Sequence, residues 1–341
     1  MTTTMMNRNQ LEAWLLESDA PSVRAATLQR LLGREPDDPE VIEARACAMR
    51  TDPVAAILAA QHPDGWWSKP GPGYSPKYRG TVWQVIFLDQ LGADPADERI
   101  RRACDYLLRH TSSPSGGFGI SSSGLDKAPP ASSVAHCLNG NLLRAVLGFG
   151  FGDDPRVLAA AEWAASTILG DGETRFYASG TCGPLFACGS NDKQSCAWGA
   201  VKELRGLSRI PPASRSPRVR RAVDDGVAFL LSHDPAIADY PMGWGNTKPS
   251  GSWFRLGFPS GYVADVLQVL EVLTELGHGD DERLDHARAW LLDQRDPDGR
   301  WRNRYAYNGK TEVDIEQQGK PSKWVTLRSL SVLSFGDQAV A

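Results

Sequence analysis

The chain has 341 residues, 41% of them hydrophobic and 23% charged, with a formal net charge of -4. This is a globular profile with no polybasic face for nucleic acid. The opening MTTTMMNRNQLEAW lacks a basic segment followed by an apolar core, so no signal peptide is expected, and the apolar stretches are helix-sized and broken by charges, which argues against a membrane span. Six cysteines are too few for a disulfide scaffold and read as reduced thiols or metal ligands in a cytoplasmic protein.

Taken in chain order, the stretch from Gln10 to Met49, with PSVRAATLQRLL, predicts about three short helices. They form an N-terminal extension, residues 1–50, packed on the outside of a main domain spanning 51–341. Asp52 to Gln61 predicts a lone outer helix. Four similar units follow: Gly80 to His110, Ala135 to Ser166, Gln194 to Leu231 and Gly261 to Gln294. Each has an apolar helix pattern ending at Leu-Gly, Phe-Gly or Ile-Pro, a short turn, and a more charged amphipathic pattern.

The punctuation supports two helices per unit. Gly92, Gly150 and Gly277 suit the left-handed residue that ends a helix, and Pro211 and Pro212 stop one. Asp153, Asp154, Asp280 and Asp281 are placed to cap the next helix. The first helix of each pair is apolar on most faces and belongs inside; the second is half exposed. Ser322 to Phe335 predicts a lone inner helix, and its pairing with Asp52–Gln61 closes the array. The predicted fold is an all-α ring, an α/α toroid with about six inner and six outer helices, around a central cavity.

Gly/Trp turns follow the outer helices: QHPDGWW at Gln61–Trp67, GGFG at Gly116–Gly119 and QRDPDGRW at Gln294–Trp301. They resemble the Q-x-x-D-G-x-W repeats of squalene/terpene cyclases and protein prenyltransferase β-subunits. From about Asp52 to Leu333 the chain is similar to bacterial prenyltransferase/squalene-oxidase-repeat proteins, through KYRGTVWQVIFL, HCLNGNLLRAVL, SCAWGAVKEL and GKPSKWVTLRSL. The resemblance implies an (α/α)6 barrel with an apolar cavity. The turns themselves read as structural, with Asp-Gly making the bend and Trp covering the seam between repeats.

Equivalent repeat positions fall at equivalent heights. Arg79 to Trp83, His136, Cys137, Cys196, Asp265, Lys323 and Trp324 all lie near inner-helix starts and are expected around one mouth. Helix N-termini there favour an anion or a thiolate. Cys137, Cys188 and Cys196 are the candidate metal ligands, with Asp265 as fourth ligand or general base, Cys182 nearby, and zinc the metal such a set would suit. Buried cysteines acting as small hydrophobes are the alternative, and Cys47 and Cys104 read as packing.

The prenyltransferase resemblance implies zinc ligands Asp, Cys and His. Cys196 matches the Cys, but the Asp position holds Gln194, and the later helix offers Tyr262 and Asp265 where the His would be. His136, Asp265 and Tyr262 are the candidate catalytic groups. Arg79, Trp83, Trp198, Lys323 and Trp324 are the candidate substrate contacts, with Lys77 and Lys320 as further cations at the mouth. The D-x-D-D acid of protonation-driven cyclases is absent, which leaves a metal-free acid-driven cyclase without its acid. Asp37, Asp38, Asp280 and Asp281 read as helix caps, and VDIE (Asp314, Glu316) lies in a polar loop. The favoured expectation is a cyclase/prenyltransferase-like enzyme with a small, mostly apolar or isoprenoid-like substrate, assisted by a metal. A binding or scaffold ring with structural cysteines is the competing one.

Overall fold

The computed structural model describes residues 8–171 and 182–338. Its helices are α1 (Arg8–Leu15), α2 (Pro21–Arg30), α3 (Pro39–Ala48), α4 (Val54–Ala59), α5 (Thr81–Gln90), α6 (Glu98–Thr111), α7 (His136–Gly148), α8 (Pro155–Leu169), α9 (Ala197–Ser208), α10 (Pro217–Leu231), α11 (Val266–Glu275), α12 (Asp285–Asp293) and α13 (Lys323–Gln338). Among the described residues there are isolated β-bridges but no strand, and no helix is long and apolar enough to cross a membrane.

The fold is all-α, an inner ring of helices backed by outer ones. Successive inner helices pack side by side, α5 on α7, α7 on α9, α9 on α11 and α11 on α13, while α8 and α10 pair outside. Burial follows the sequence pattern. Thr81 through Leu88 of α5 and Val266 through Leu273 of α11 are all buried, as a helix enclosed on both sides requires. α6 hides one stripe, including Ile100, Ala103, Cys104 and Leu107, and leaves its arginines in water. Gly92, Gly150 and Gly277 have φ of 70°, 84° and 89°, and the Asp154 and Asp38 carboxylates cap α8 and α3.

The Gly/Trp turns are structural in the way their repetition suggests. The Trp67 indole N–H donates to the Ile57 carbonyl at 2.7 Å, and that of Trp301 donates to Leu291 at 2.8 Å. The backbone N–H of each tryptophan donates to a threonine hydroxyl of the next inner helix, Thr81 and Thr326. One motif thus ties an outer helix to its inner successor twice around the ring. Gln61 reaches farther, donating to the Arg99 carbonyl of α6.

Closure differs from the expected pairing. α4 packs on α5, whereas α13 packs on α11, α2 and α1. The gap beside α5 is filled by the segment before α13, where Tyr307 stacks on Tyr78 and donates nothing but accepts the Gly261 N–H at 3.0 Å. Lys323 is bound by Glu17 and Asp19, so the α1–α2 turn is fastened to the start of α13.

The inner helices also meet on buried charges. Arg328 of α13 makes a two-pronged contact with Glu271 of α11 at 2.7 and 2.6 Å, and Arg205 of α9 approaches the same carboxylate at 3.2 Å. Burial works against the Glu271 charge, but Arg205 and Arg328 outweigh it and hold the carboxyl well below its ordinary range. Buried Lys202 donates to Gln268. Arg328, Glu271 and Arg205 thus form a buried ionic column that joins α13, α11 and α9. α7 and α9 approach so closely that a Cβ on Gly140 would sit 2.2 Å from the Lys202 carbonyl oxygen.

Candidate functional site

The cavity lies at the end of the ring where the inner helices begin. It measures about 580 Å³, the size of a small-molecule site. Cys137 of α7 and Cys196, Ala197 and Trp198 at the start of α9 form one wall; Tyr74 and Lys77, before α5, and Tyr262, before α11, form another. The roof comes from the stretch between α10 and α11, through Tyr240, Met242 and Trp253. Trp253 is fixed by an indole bond to the Pro235 carbonyl at 3.0 Å and by a tilted ring contact with Tyr240. Burial, then the neighbouring Cys137 and Tyr262, push the Tyr74 phenol up to about 12, so it stays protonated.

The cysteines are positioned by a short turn-rich segment. Ala187 and Ser195 form an antiparallel bridge, the Cys188 N–H donates to the Gln194 carbonyl at 3.1 Å, and the Cys196 N–H donates to Phe186 at 2.9 Å. This register sets Cys188 and Cys196 diagonally on one face. The Cys196 thiol donates to Cys188, and with the backbone N–H groups of Ser190 and Asn191 it draws the Cys188 thiol down to about 6 against the opposing effect of burial. Cys196 gives up its proton less readily, held by that same bond and by burial. Burial, then Cys188, push Cys137 up to about 12. Of the three thiols, Cys188 is the one that gives up its proton most readily.

Among the described residues no group of three or more His, Cys, Asp or Glu side chains is arranged to hold a metal ion. Cys137, Cys188 and Cys196 share the cavity wall without converging, and Asp265 is elsewhere, capping α11 through the Gln268 N–H at 2.9 Å and accepting from Gly257. Cys182 accepts the His136 N–H at 3.0 Å and so caps α7. Cys104 is buried as expected, whereas Cys47 is exposed, because it lies on the outward face of α3.

Of the other predicted site residues, Tyr262 and Trp198 line the cavity. Trp83 is fully buried behind it, bonded to the Tyr74 carbonyl and ringed by Tyr74, Tyr78 and Tyr262. His136 faces away, its Nδ1 2.8 Å from Glu203 Oε2 and its ring against Trp163 and Phe186. Arg79 turns to the Lys310 and Gly309 carbonyls. Lys323 is spent on Glu17 and Asp19, and Trp324 stacks on Phe258 at 4.6 Å. The cations thus separate, and only Lys77 of that group lines the cavity. Tyr240, Met242 and Trp253 were not anticipated. Their signal was length: residues 232–265 form a helix-free connection of a size that usually carries function.

No protein-family model matches the chain, and no curated protein matches it. Solved structures with some likeness include the apo type II terpene cyclase MstE from Scytonema, at 14% identity and a TM-score of 0.45 over 94% of this chain and 88% of that one. A variant of MstE in complex with geranylgeranyl dihydroxybenzoate gives 16% identity and 0.43 over the same shares. The GH76 α-mannanase of Bacteroides thetaiotaomicron gives 10% identity and 0.42 over 97% of this chain and 85% of that one. At this distance the likeness says nothing of reaction or substrate; the ring rests on the helix arrangement described above.

Proposed function

We propose that this chain is an enzyme that takes a small, mostly apolar, isoprenoid-like substrate into the mouth cavity, with the Cys188 thiolate as its reactive group. The observation that carries the reading is the Cys188–Cys196 pair on the wall of a cavity of about 580 Å³ faced by Tyr74, Trp198, Trp253 and Tyr262. Apolar walls with a few convergent polar groups are what a small-molecule site needs, and a thiolate at neutral pH is a strong nucleophile. The Lys77 and Lys248 ammonium groups supply positive charge on the cavity lining.

Site-resolved alkylation with iodoacetamide tests it. Cys188 is expected to react faster than exposed Cys47 at pH 6.5, with a half-maximal rate near pH 6. Farnesol, a probe for an apolar chain, is expected to protect Cys188 and leave Cys47 unaffected. A Cys188 no more reactive than Cys47, or one that farnesol never shields, would instead favour a binding or scaffold ring whose cysteines are structural.

A further inference from the structure

Near the other end of the ring, where the inner helices finish, a second and much smaller recess opens. Arg30 at the end of α2, Arg144 of α7, Arg205 of α9, Arg328 of α13, Gln90 of α5 and Glu271 of α11 face it. Five guanidinium groups gather here once Arg209 is included, against three carboxylates, Asp89, Glu271 and Glu275. Some of these groups are fully engaged. Arg328 spends its donors on Glu271 and the Gly257 carbonyl, and Gln90 exchanges two bonds with the Ser260 backbone.

Others are not. Arg144 and Arg205 are 8% and 6% exposed, and the Nε of each is buried without a hydrogen-bond acceptor. Arg144 Nε has only Asp89 near it, at 3.5 Å, too long for a good bond. Among the described residues the Arg30 guanidinium makes no hydrogen bond or ion pair, and part of its side chain meets solvent. Buried donors without acceptors are costly, about 1–3 kcal/mol each, and like charges add to that.

We infer that this recess is a binding site for one small anion, held by the unspent donors of Arg30, Arg144 and Arg205. The space is about 10 Å³, room for a single water-sized body. A halide ion fits, and so does one terminal oxygen of a phosphate or carboxylate entering past solvent-facing Arg30. The competing account is that the arginines only offset the negative ends of the converging helices, which needs no ligand. It leaves the two Nε groups unexplained, since neither finds a helix-terminal carbonyl as its acceptor.

Calorimetric titration of the full chain in a zwitterionic buffer of low ionic strength tests the inference, with sodium chloride and inorganic phosphate as separate probes. Saturable binding of about one equivalent is expected, weakened at least fivefold by Arg30→Gln, an exposed change the fold tolerates. Chloride binding alone marks a monatomic site, and tighter phosphate binding marks an oxyanion site; either supports it. Absence of saturation with both salts, or equal affinity in R30Q, overturns it in favour of dipole compensation.

Discussion

The Lys77 ammonium donates to the Tyr262 hydroxyl at 2.9 Å and lies 4.3 Å from the centroid of the same ring. Lys77 precedes α5 and Tyr262 precedes α11, so this contact spans the mouth between segments 185 residues apart. It is exposed, and contacts of that kind contribute modestly, about 0.5–1 kcal/mol. Lys77→Met is therefore expected to change unfolding free energy by no more than about 1 kcal/mol. The same substitution is expected to speed entry of an apolar ligand, read as the rate of tryptophan quenching by stopped flow. An unchanged rate would mean that this bridge does not gate the cavity.

Gly140 marks the tightest point of the ring. A methyl group there would overlap backbone atoms of Lys202 and Glu203, which cannot move aside as a flexible side chain would. Gly140→Ala is expected to destabilise by about 3 kcal/mol or to prevent folding, at the upper end of overpacking costs. Gly152→Ala is the control: its added carbon would meet only a Leu147 methyl at 3.7 Å, and a change below about 1 kcal/mol is expected. Urea unfolding of both variants decides the matter.

Arg328 and Glu271 make the strongest pair in the ionic column, both under 10% exposed. Removing one partner strands the other. Glu271→Gln is expected to cost about 3–5 kcal/mol, and Arg328→Met about as much because Glu271 then keeps only Arg205. A joint replacement, Arg328→Met with Glu271→Leu, is expected to recover part of that loss. Equal losses in single and joint variants by calorimetry would contradict a coupled pair.

Glu316 supplies a pH dependence. It accepts from Ser322 and the Trp324 N–H, at 3.3 Å, at the start of α13, and from Asn303 of the stretch before it. Burial nevertheless pushes its carboxyl up to about 7 from 4.5. A raised folded-state value means that the ionised form is the disfavoured one in the fold. Its contribution to stability is thus fully present below pH 4.5 and is lost as pH rises through 7. The wild type is expected to lose stability over that window relative to Glu316→Gln, and parallel profiles for the two proteins would refute the assignment.

Much of the ring was legible in the amino-acid sequence by itself. Helix periodicity, the stop at Gly92, Gly150 and Gly277, the Asp154 cap and the paired Trp67 and Trp301 turns are local features, set by backbone conformation and by bonds within one repeat. The repeat also put Cys137, Cys196 and Tyr262 at one end, because equivalent residues of stacked repeats share a height. What only the tertiary structure decided is where long side chains spend their charge. Lys323 and Arg79 start near the mouth yet turn to Glu17, Asp19 and the Lys310 carbonyl, partners remote in sequence. The roof residues Tyr240 and Trp253 come from a connection without periodicity, and Arg328, Glu271 and Arg205 of three separate helices meet as one buried ionic group. A buried charge takes whichever partner the closed ring brings within reach, and closure between α2 and α13 joins the two ends of the chain.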